Sequence, residues 1–202
     1  VALREICDDT VAGLMLTNPN TLGLFDENVS EVIEIVHAAG GLVYGDGANL
    51  NALLGIARPG DLGFDVMHFN LHKTFSTPHG GGGPGSGPVA VTSQLADFLP
   101  SPVVGIVEPG TEDLPPLYGF TTPTMSIGRV KTFYGQFGML VRAYTYIRMN
   151  GSDGLRRISE FAVLNDNYLL SKVRAKYTIP NNRTCMHEYV VEAVWPEVTD
   201  IH

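Results

Sequence analysis

Cysteine is scarce in this sequence: the chain has two, Cys7 and Cys185, and they lie far apart. Neither belongs to a C-x-x-C motif or to a Cys/His spacing that suits zinc. The sequence therefore predicts neither a disulfide framework nor a metal site. Cysteine usage of this kind fits a reducing compartment, so we expect the protein to be cytoplasmic.

Basic residues are also few, since 13 Lys and Arg stand against 21 Asp and Glu and give a formal net charge of -8. A protein that binds nucleic acid without sequence preference neutralises phosphates with a basic patch, and the sequence has no such patch. No run of about 18 apolar residues occurs, and the first residues lack the pattern of a signal peptide. We therefore expect neither a nucleic-acid partner nor a membrane-spanning segment.

The first part of the chain predicts a strand, a helix and a second strand. With 202 residues, of which 44% are hydrophobic, the chain is long enough to bury a sizeable core. Short apolar runs at 14–16 and 42–44 stop at the turn sequences TNPN and GDGAN. Between them, residues at helical spacing precede a stop at Gly40-Gly41; they are Val29, Val32, Ile33 and Val36. This βαβ order predicts an α/β fold with a mainly parallel sheet and flanking helices.

Polar residues follow each predicted strand. Ligands in sheets of this kind bind beyond the carboxyl ends of the strands, so these residues are candidates for a site. They are Thr17 and Asn18 after the first strand, Asp46, Ala48 and Asn49 after the second, and Asn70, His72 and Lys73 after a third predicted strand at 64–69. Because the ends of parallel strands share one edge of the sheet, we expect these three polar clusters to converge.

The middle of the chain is less regular. After a short apolar run at 88–91, we expect Thr92 to cap a brief helix that ends at Pro100. Prolines, glycines and acidic residues at 102–124 predict an extended loop.

Two longer helices are predicted in the last third of the chain, at 130–149 and 154–175. The sequence NGSDG separates them, and its Gly151 suits the end of the first helix. The following segment HEYVVEAVWP, at 187–196, has the composition of a strand.

The stretch FNLHKTFSTPHGGGGPGSGP places Lys73 before a run of glycines. A phosphate-binding P-loop needs the lysine after the glycines, so the order excludes that motif. A single placed lysine is also used to form a Schiff base with an aldehyde cofactor or substrate. Pyridoxal phosphate, one such aldehyde, needs in addition a carboxylate beside its pyridine nitrogen, and Asp46 could supply that group.

Four segments carry a resemblance to a known family: LTNPNTLGLF, YGDGANLNALLG, FNLHKTFSTPHGGGGPGSGP and SIGRVKTFYGQFGMLVRAYTYIR. In these segments the chain resembles the glycine decarboxylase P-protein of the glycine cleavage system, and most of all the second subunit of the two-subunit bacterial form. The resemblance covers nearly all of the chain. Its most specific motif is NLHKTFSTPHGGGGPG, in which the lysine, the histidines and the glycine run occur together.

The resemblance implies a fold and a domain organisation. The family is similar to the fold-type-I pyridoxal-phosphate enzymes, whose large α/β domain carries an aspartate on one strand and a lysine after a later one. We expect this large domain at 1–180, without its N-terminal part, and the beginning of a small, truncated C-terminal α+β domain at 181–202. The resemblance also implies a preceding segment in family members that binds the cofactor phosphate and stacks on its ring.

The resemblance assigns roles to the candidate residues. It makes Lys73 the catalytic Schiff-base lysine and Asp46 the partner of the pyridine nitrogen. Ala48 would lie against the cofactor ring, and Thr17 or Asn18 would lie near its phenolic oxygen.

Two further roles concern the surroundings of the lysine. His72 would reach the cofactor phosphate, and His79 with the following glycines would shape the entrance for a lipoyl arm. Glycine without a Cβ lets such an arm approach the backbone closely.

The activity that the resemblance implies is that of glycine dehydrogenase (aminomethyl-transferring), an oxidoreductase that uses pyridoxal 5'-phosphate. Glycine would be decarboxylated, and its aminomethyl group would pass to the lipoyl group of the H-protein. The implied partners are glycine, the lipoylated H-protein and a first P-protein subunit, in a hetero-oligomer.

Each candidate residue also has an ordinary structural explanation. Lys73 taken alone reads as a surface lysine, and Asp46 in GDGAN reads as a turn residue. Thr17 and Asn18 could satisfy backbone groups of TNPN, while the histidines and the glycine run could serve packing and connection only. Two other functions therefore stay open: a different fold-type-I decarboxylase or aminotransferase acting on a free substrate, and a non-catalytic scaffold.

Overall fold

The computed structural model describes residues 2–77, 79 and 84–192. Within these ranges the strands are β1 Gly13–Thr17, β2 Leu42–Gly47, β3 Val66–Phe69, β4 Val89–Val91, β5 Val103–Glu108 and β6 Leu117–Thr121. The α-helices are α1 Ala2–Ile6, α2 Val29–Ala38, α3 Leu71–Thr74 and α4 Phe137–Val173. Short 3₁₀ helices lie at Leu50–Ala52, Pro59–Leu62 and Ser93–Phe98.

The first four strands form one sheet in the order β1-β2-β3-β4. The β1-β2 and β2-β3 pairs are parallel, and the β3-β4 pair is antiparallel. The register places Thr17 beside Asp46 and Asp46 beside His68. The predicted βαβ unit and mainly parallel sheet are thereby confirmed, and the carboxyl ends of three strands meet at one edge.

Helix α2 anchors the sheet through one apolar face. Val29, Ile33 and Val36 pack with Val43 of β2 and with Phe64, and all five side chains are buried. Burying a side chain of this size contributes about 1.5–3 kcal/mol relative to leaving it exposed. The predicted helical spacing therefore marks the face that holds α2 against the sheet.

Helix α2 ends at the predicted glycine pair. Gly40 has φ +88°, a left-handed conformation that favours glycine, and its N–H donates to His37 O at 2.9 Å. The N–H of Gly41 donates to Val36 O at 3.0 Å. These two bonds complete a Schellman motif, which satisfies carbonyls at the end of the helix and turns the chain into β2.

The prediction of an extended loop at 102–124 is wrong, because strands β5 and β6 form an antiparallel hairpin there. The prolines that suggested a loop all lie outside the two strands, at Pro102, Pro109, Pro115, Pro116 and Pro123. Proline is excluded from a strand ladder but tolerated at its ends and in turns. Composition alone therefore hid a strand pair whose own residues are largely apolar.

Helix α4 begins later than predicted. Its first residue is Phe137 and not Val130, because Gly135 just before it adopts φ +95°, outside the helical region. The predicted break is confirmed, since Gly151 has non-helical angles of φ 63° and ψ -176° between two helical stretches.

Thr92 occupies the predicted N-cap position of the helix at Ser93–Phe98, but its side chain makes no capping bond. Its hydroxyl is buried without a hydrogen-bond partner among the described residues. The expected capping interaction is therefore wrong, although the helix is present.

The predicted C-terminal strand is only partly described. Thr178 and Glu192 form an isolated antiparallel bridge, and the rest of the stretch, 193–196, lies outside the described residues. The domain boundary near 180 stays a prediction. Over the part of the chain that the structure describes, no helix is both long and apolar enough to cross a bilayer.

Candidate functional site

A cavity of about 400 Å³ lies at the carboxyl edge of the sheet. Its lining brings together five of the residues predicted from the sequence: Thr17, Asp46, Ala48, Asn49 and Lys73. The remaining lining residues are Thr21, Asn51, His187 and Glu188. We call Thr17, Asp46, Ala48 and Lys73 the sheet wall, and His187 with Glu188 the C-terminal wall.

The sheet wall is held by backbone structure. Asp46 lies near the end of β2, and its Oδ1 accepts a hydrogen bond of 2.8 Å from the N–H of Ala48. This bond makes Asp46 a turn residue, as its ordinary explanation predicted, and it also fixes the orientation of the carboxylate. The turn and the candidate role are therefore compatible.

Lys73 lies in the short helix α3, directly after β3. Its N–H donates to Asn70 O at 3.0 Å, and the N–H of Thr74 donates to the same oxygen at 3.1 Å. Leu71 and Thr74 are buried, whereas Lys73 is exposed. The apolar side of α3 thus anchors the helix and leaves the lysine side chain at the cavity.

Asn18 is not among the residues that line this cavity. Its Oδ1 accepts from the N–H of Asp26 at 2.9 Å, and its Nδ2 donates to Asp26 O at 3.3 Å. The side chain is engaged with the backbone of the loop that follows β1. Of the two candidates for the phenolic oxygen, Thr17 is thus the one at the cavity, and the role itself stays a prediction.

His72 also lies outside the lining of this cavity. Its Nδ1 accepts from the N–H of Ser86 at 3.2 Å, and its ring lies 3.9 Å from the ring of His79, centroid to centroid. Burial, followed by the nearby His79, lowers the pKa of His72. Its contact with a phosphate stays a prediction.

The glycine run at 80–83 lies outside the described residues. Gly85, further along the same motif, lies close to two histidine rings. A Cβ on Gly85 would lie 2.7 Å from Cε1 of His79 and 3.2 Å from Nδ1 of His72. A contact below 3.0 Å requires a shift, and with a larger residue at Gly85 the shift would fall on the imidazole rings of these two histidines. The role of His79 at an entrance stays a prediction.

Sequence reasoning missed the C-terminal wall. The N–H of Met186 donates to Gly23 O at 2.6 Å, which ties the segment around 187 to the loop after β1. Gly23 has φ +75°, and a Cβ there would overlap the carbonyl oxygen of Glu188. The two segments are far apart in the sequence, and no local pattern indicates that they meet.

Three buried polar atoms at the cavity have no hydrogen-bond partner among the described residues: Asn51 Oδ1, His187 Nδ1 and Glu188 Oε1. Nε2 of His187 lies 4.0 Å from Glu188 Oε1, and the His187 side chain is 10% exposed. Burial lowers the pKa of His187, against the opposite effect of Glu188. Unbonded buried groups of this kind are costly, so they indicate where a polar ligand would bind.

A metal centre finds no support in the described ranges, which contain no group of three or more His, Cys, Asp or Glu residues able to hold an ion. The side chains that line the cavity carry one amine, two carboxylates, two hydroxyls, two amides and an imidazole, beside the small apolar Ala48. A group of this composition suits an aldehyde cofactor with a ring nitrogen.

The chain matches a family model and curated relatives along nearly its whole length. The model described as "Glycine cleavage system P-protein" matches residues 2–194. A relative named "Probable glycine dehydrogenase (decarboxylating) subunit 2", from Caldanaerobacter subterraneus subsp. tengcongensis, is 55% identical over 99% of this chain. The aligned region is 40% of that relative's length, so the chain spans well under half of it.

Two solved structures share the fold. The glycine decarboxylase (P-protein) of the glycine cleavage system, in inhibitor-bound form, superposes with a TM-score of 0.65 at 23% identity, over 83% of this chain and 38% of that one. The apo cysteine desulfurase from Thermococcus onnurineus NA1 gives a TM-score of 0.60 at 18% identity, over 97% of this chain and 47% of that one. The predicted fold-type-I architecture, present in part, is confirmed. With the family model matched across nearly all of its residues, the chain belongs to the glycine cleavage system P-protein family.

Proposed function

We propose that the protein to which this chain belongs decarboxylates glycine with pyridoxal 5'-phosphate and passes the remaining aminomethyl group to the lipoyl group of an H-protein. The observation that carries the proposal is the presence of Lys73, Asp46, Ala48 and Thr17 at one cavity. Membership of the P-protein family and the name of the 55% identical relative support it.

The residues of the cavity fit the proposed cofactor. A volume of about 400 Å³ is within the usual range for small-molecule sites, about 300–1,000 Å³. The unbonded atoms of Asn51, His187 and Glu188 provide polar partners for a ligand, beside the amine of Lys73. When bound, pyridoxal phosphate supplies an electron sink for the electrons that remain when carbon dioxide leaves.

Asp46 would hold the proton on the pyridine nitrogen. Its Oδ1 is engaged by the N–H of Ala48, and the described residues provide no hydrogen bond to Oδ2. Oδ2 is therefore the atom we expect to hold that proton. A fixed carboxylate stabilises positive charge on the ring without reorienting during the reaction.

Lys73 would hold the cofactor through its Nζ and receive it again after each turnover. The α3 turn and its bonds to Asn70 O fix the backbone of the lysine, while its side chain stays exposed and free to move. Ala48 would leave room for a flat ring, since a larger side chain there would occupy the cavity. Thr17 would orient the ring through its hydroxyl.

The partners belong to the same proposal. The name "subunit 2" of the relative supports a second kind of P-protein subunit and thus a hetero-oligomer. We propose glycine as substrate, a lipoylated H-protein as acceptor and a cytoplasmic location. We also propose a large domain at 1–180 and a small domain that begins at 181–202.

The experiment that tests this function is glycine-dependent release of labelled carbon dioxide. The longest protein that carries this chain, with its partner subunit, is incubated with carboxyl-labelled glycine and pyridoxal phosphate. We expect release to depend on the lipoylated H-protein, with an unlipoylated H-protein as the matched control.

Other results would replace the proposal. Carbon dioxide release that does not depend on the H-protein would assign the chain to another fold-type-I activity. Transfer of the amino group to a free keto acid would do the same. If the assembled protein bound no cofactor, the non-catalytic scaffold would be the function that remains.

A further inference from the structure

A second row of polar side chains lies behind the sheet wall, on strands β2 and β3. Tyr44 and Asp46 are two residues apart on β2, so their side chains project from the same face of the sheet. His68 on β3 is the register partner of Asp46. The fold therefore places the imidazole of His68 between the phenol and the carboxylate.

Each ring nitrogen of His68 faces a different one of these two groups. Nδ1 lies 2.6 Å from Oη of Tyr44, a short hydrogen bond, and Nε2 lies 3.5 Å from Oδ1 of Asp46. The His68 side chain is 20% exposed and that of Asp46 is 36% exposed, so the row is largely shielded from water.

The bonding pattern selects one form of the imidazole. Burial, and after it the charge of Asp46, raises the pKa of Tyr44, so its hydroxyl keeps its proton. When that hydroxyl donates to Nδ1 of His68, the ring proton lies on Nε2 and faces the Asp46 carboxylate.

We propose that His68 is a positioning residue, whose Nε2–H holds the carboxylate of Asp46 in the orientation that the cofactor ring requires. This inference rests on the proposed function, since it assigns a role to Asp46 toward the ring. Two donors then converge on Oδ1 of Asp46, the N–H of Ala48 at 2.8 Å and the imidazole at 3.5 Å. The second is longer than a usual hydrogen bond, and contacts in active sites often shorten when the reacting molecule binds.

Two donors on Oδ1 have a consequence for the other carboxylate oxygen. When both donors engage Oδ1, rotation of the carboxylate would be restricted, and Oδ2 would keep a fixed direction. Partners of this kind, behind a group that binds a ligand, commonly tune its affinity and orientation. No sequence pattern marks His68 as a functional residue, because it lies inside a predicted strand and not after it.

The first test is the form of the imidazole, read by ¹⁵N NMR of the chain labelled at histidine, without cofactor. We expect the His68 signals to show a proton on Nε2 and none on Nδ1. Tyr44→Phe, which removes the hydroxyl, should weaken this preference, while the Asp46 carboxylate still favours a proton on Nε2. A neutral ring with its proton on Nδ1 and none on Nε2 in the unmodified chain would overturn the proposal, because Nε2 could not then donate to Asp46.

The second test compares two amide substitutions by their effect on pyridoxal-phosphate binding. His68→Gln can place a donor near the position of Nε2, whereas the shorter His68→Asn cannot reach Asp46. We expect His68→Asn to weaken binding by about 10-fold and His68→Gln to stay within about 3-fold of the unmodified protein. Both remove the imidazole ring, so equal weakening by the two variants would indicate a packing role only and contradict the proposal.

The outcomes separate this inference from the proposed function. If the unmodified protein, assembled with its partner subunit, binds no pyridoxal phosphate, the proposed function fails. In that case the NMR measurement, which needs no cofactor, still decides whether Nε2 of His68 carries the proton that faces Asp46. If the protein binds the cofactor and His68→Asn binds equally well, the role of His68 fails while the proposed function stands.

Discussion

The two walls of the Lys73 cavity differ in whether they contain buried polar atoms without hydrogen-bond partners among the described residues. On the sheet wall, Asp46 accepts from Ala48, and α3 fixes the backbone of Lys73. On the C-terminal wall, His187 and Glu188 each have a buried atom without a hydrogen-bond partner among the described residues. The first wall is built before a ligand arrives, whereas the second has bonding capacity left for one.

This difference assigns separate tasks to the walls. Hydrogen bonds fix the Asp46 carboxylate and the backbone of Lys73, which suits residues that must hold a cofactor in one orientation. Unbonded groups on a docked segment suit the recognition of a polar ligand, since they gain hydrogen bonds only when it binds. Changes on the sheet wall should therefore affect chemistry, and changes on the C-terminal wall should affect stability and binding.

The largest effect is expected from Lys73→Arg. Arginine keeps the charge but cannot link covalently to an aldehyde, so glycine decarboxylation should fall by at least about 1,000-fold. Lys172→Arg, at an exposed lysine of α4, is the matched control and should keep normal activity. The measurement is glycine-dependent carbon dioxide release; comparable loss in both variants would contradict the role of Lys73.

Asp46→Asn should have the second largest effect. The amide keeps the shape of the side chain but cannot stabilise a protonated ring nitrogen, so the rate should fall on the order of 100-fold. Asp61→Asn removes a carboxylate from the surface pair with Arg58 and serves as the control. Steady-state rates at saturating glycine provide the comparison, and an Asp46→Asn enzyme as fast as the control would remove Asp46 from the mechanism.

Gly23→Ala is expected to damage the C-terminal wall. Alanine at φ +75° is strained, and its Cβ would overlap the carbonyl oxygen of Glu188, so the free energy of unfolding should fall by about 1–3 kcal/mol. Gly60→Ala, where a Cβ meets nothing within 4 Å, is the control. Denaturant unfolding measures the change, and proteolysis near 186–188 should become faster. Equal stability of the two variants would show that the close approach is not needed.

The smallest effect is a pH dependence caused by His187. Burial lowers its pKa in the folded chain below the ordinary 6.5, so in mildly acidic solution the unfolded chain binds more protons. The free energy of unfolding should therefore fall as the pH decreases below about 6.5, by at most about 1.4 kcal/mol per pH unit from this group. The stabilisation is fully present above that pH and is lost as the pH falls through the folded pKa.

His187→Gln should flatten this part of the curve. His72, whose pKa burial also lowers, contributes in the same direction in both proteins and cancels in the comparison. Urea unfolding between about pH 5 and pH 7 supplies the slopes. Identical slopes for the two proteins would show that His187 is not buried in its neutral form.

The same contrast explains what the sequence predicted. Strands β1, β2 and β3 and helix α2 follow local patterns, and the sheet wall lies at the carboxyl ends of these strands or directly after them. A parallel sheet brings such positions together by geometry, so the sequence is sufficient to group Thr17, Asp46, Ala48 and Lys73 at one edge.

Other features depend on contacts that no local pattern carries. The C-terminal wall reaches the cavity because the carbonyl oxygen of Gly23 accepts a hydrogen bond from the N–H of Met186. These two residues are far apart in the sequence. The hairpin β5-β6 was hidden by prolines that all lie outside its strands. The direction of the Asn18 and His72 side chains follows from their bonds to Asp26 and Ser86, which the sequence does not reveal.

The most direct test of the central claim is to locate the cofactor on the protein. The assembled protein is saturated with pyridoxal phosphate, reduced with borohydride, digested and analysed by mass spectrometry. We expect the mass of the reduced cofactor on the peptide that contains Lys73, and no such peptide from Lys73→Arg. Attachment at a different lysine, or no attachment in the unmodified protein, would contradict the assignment of Lys73 as the residue that holds the cofactor.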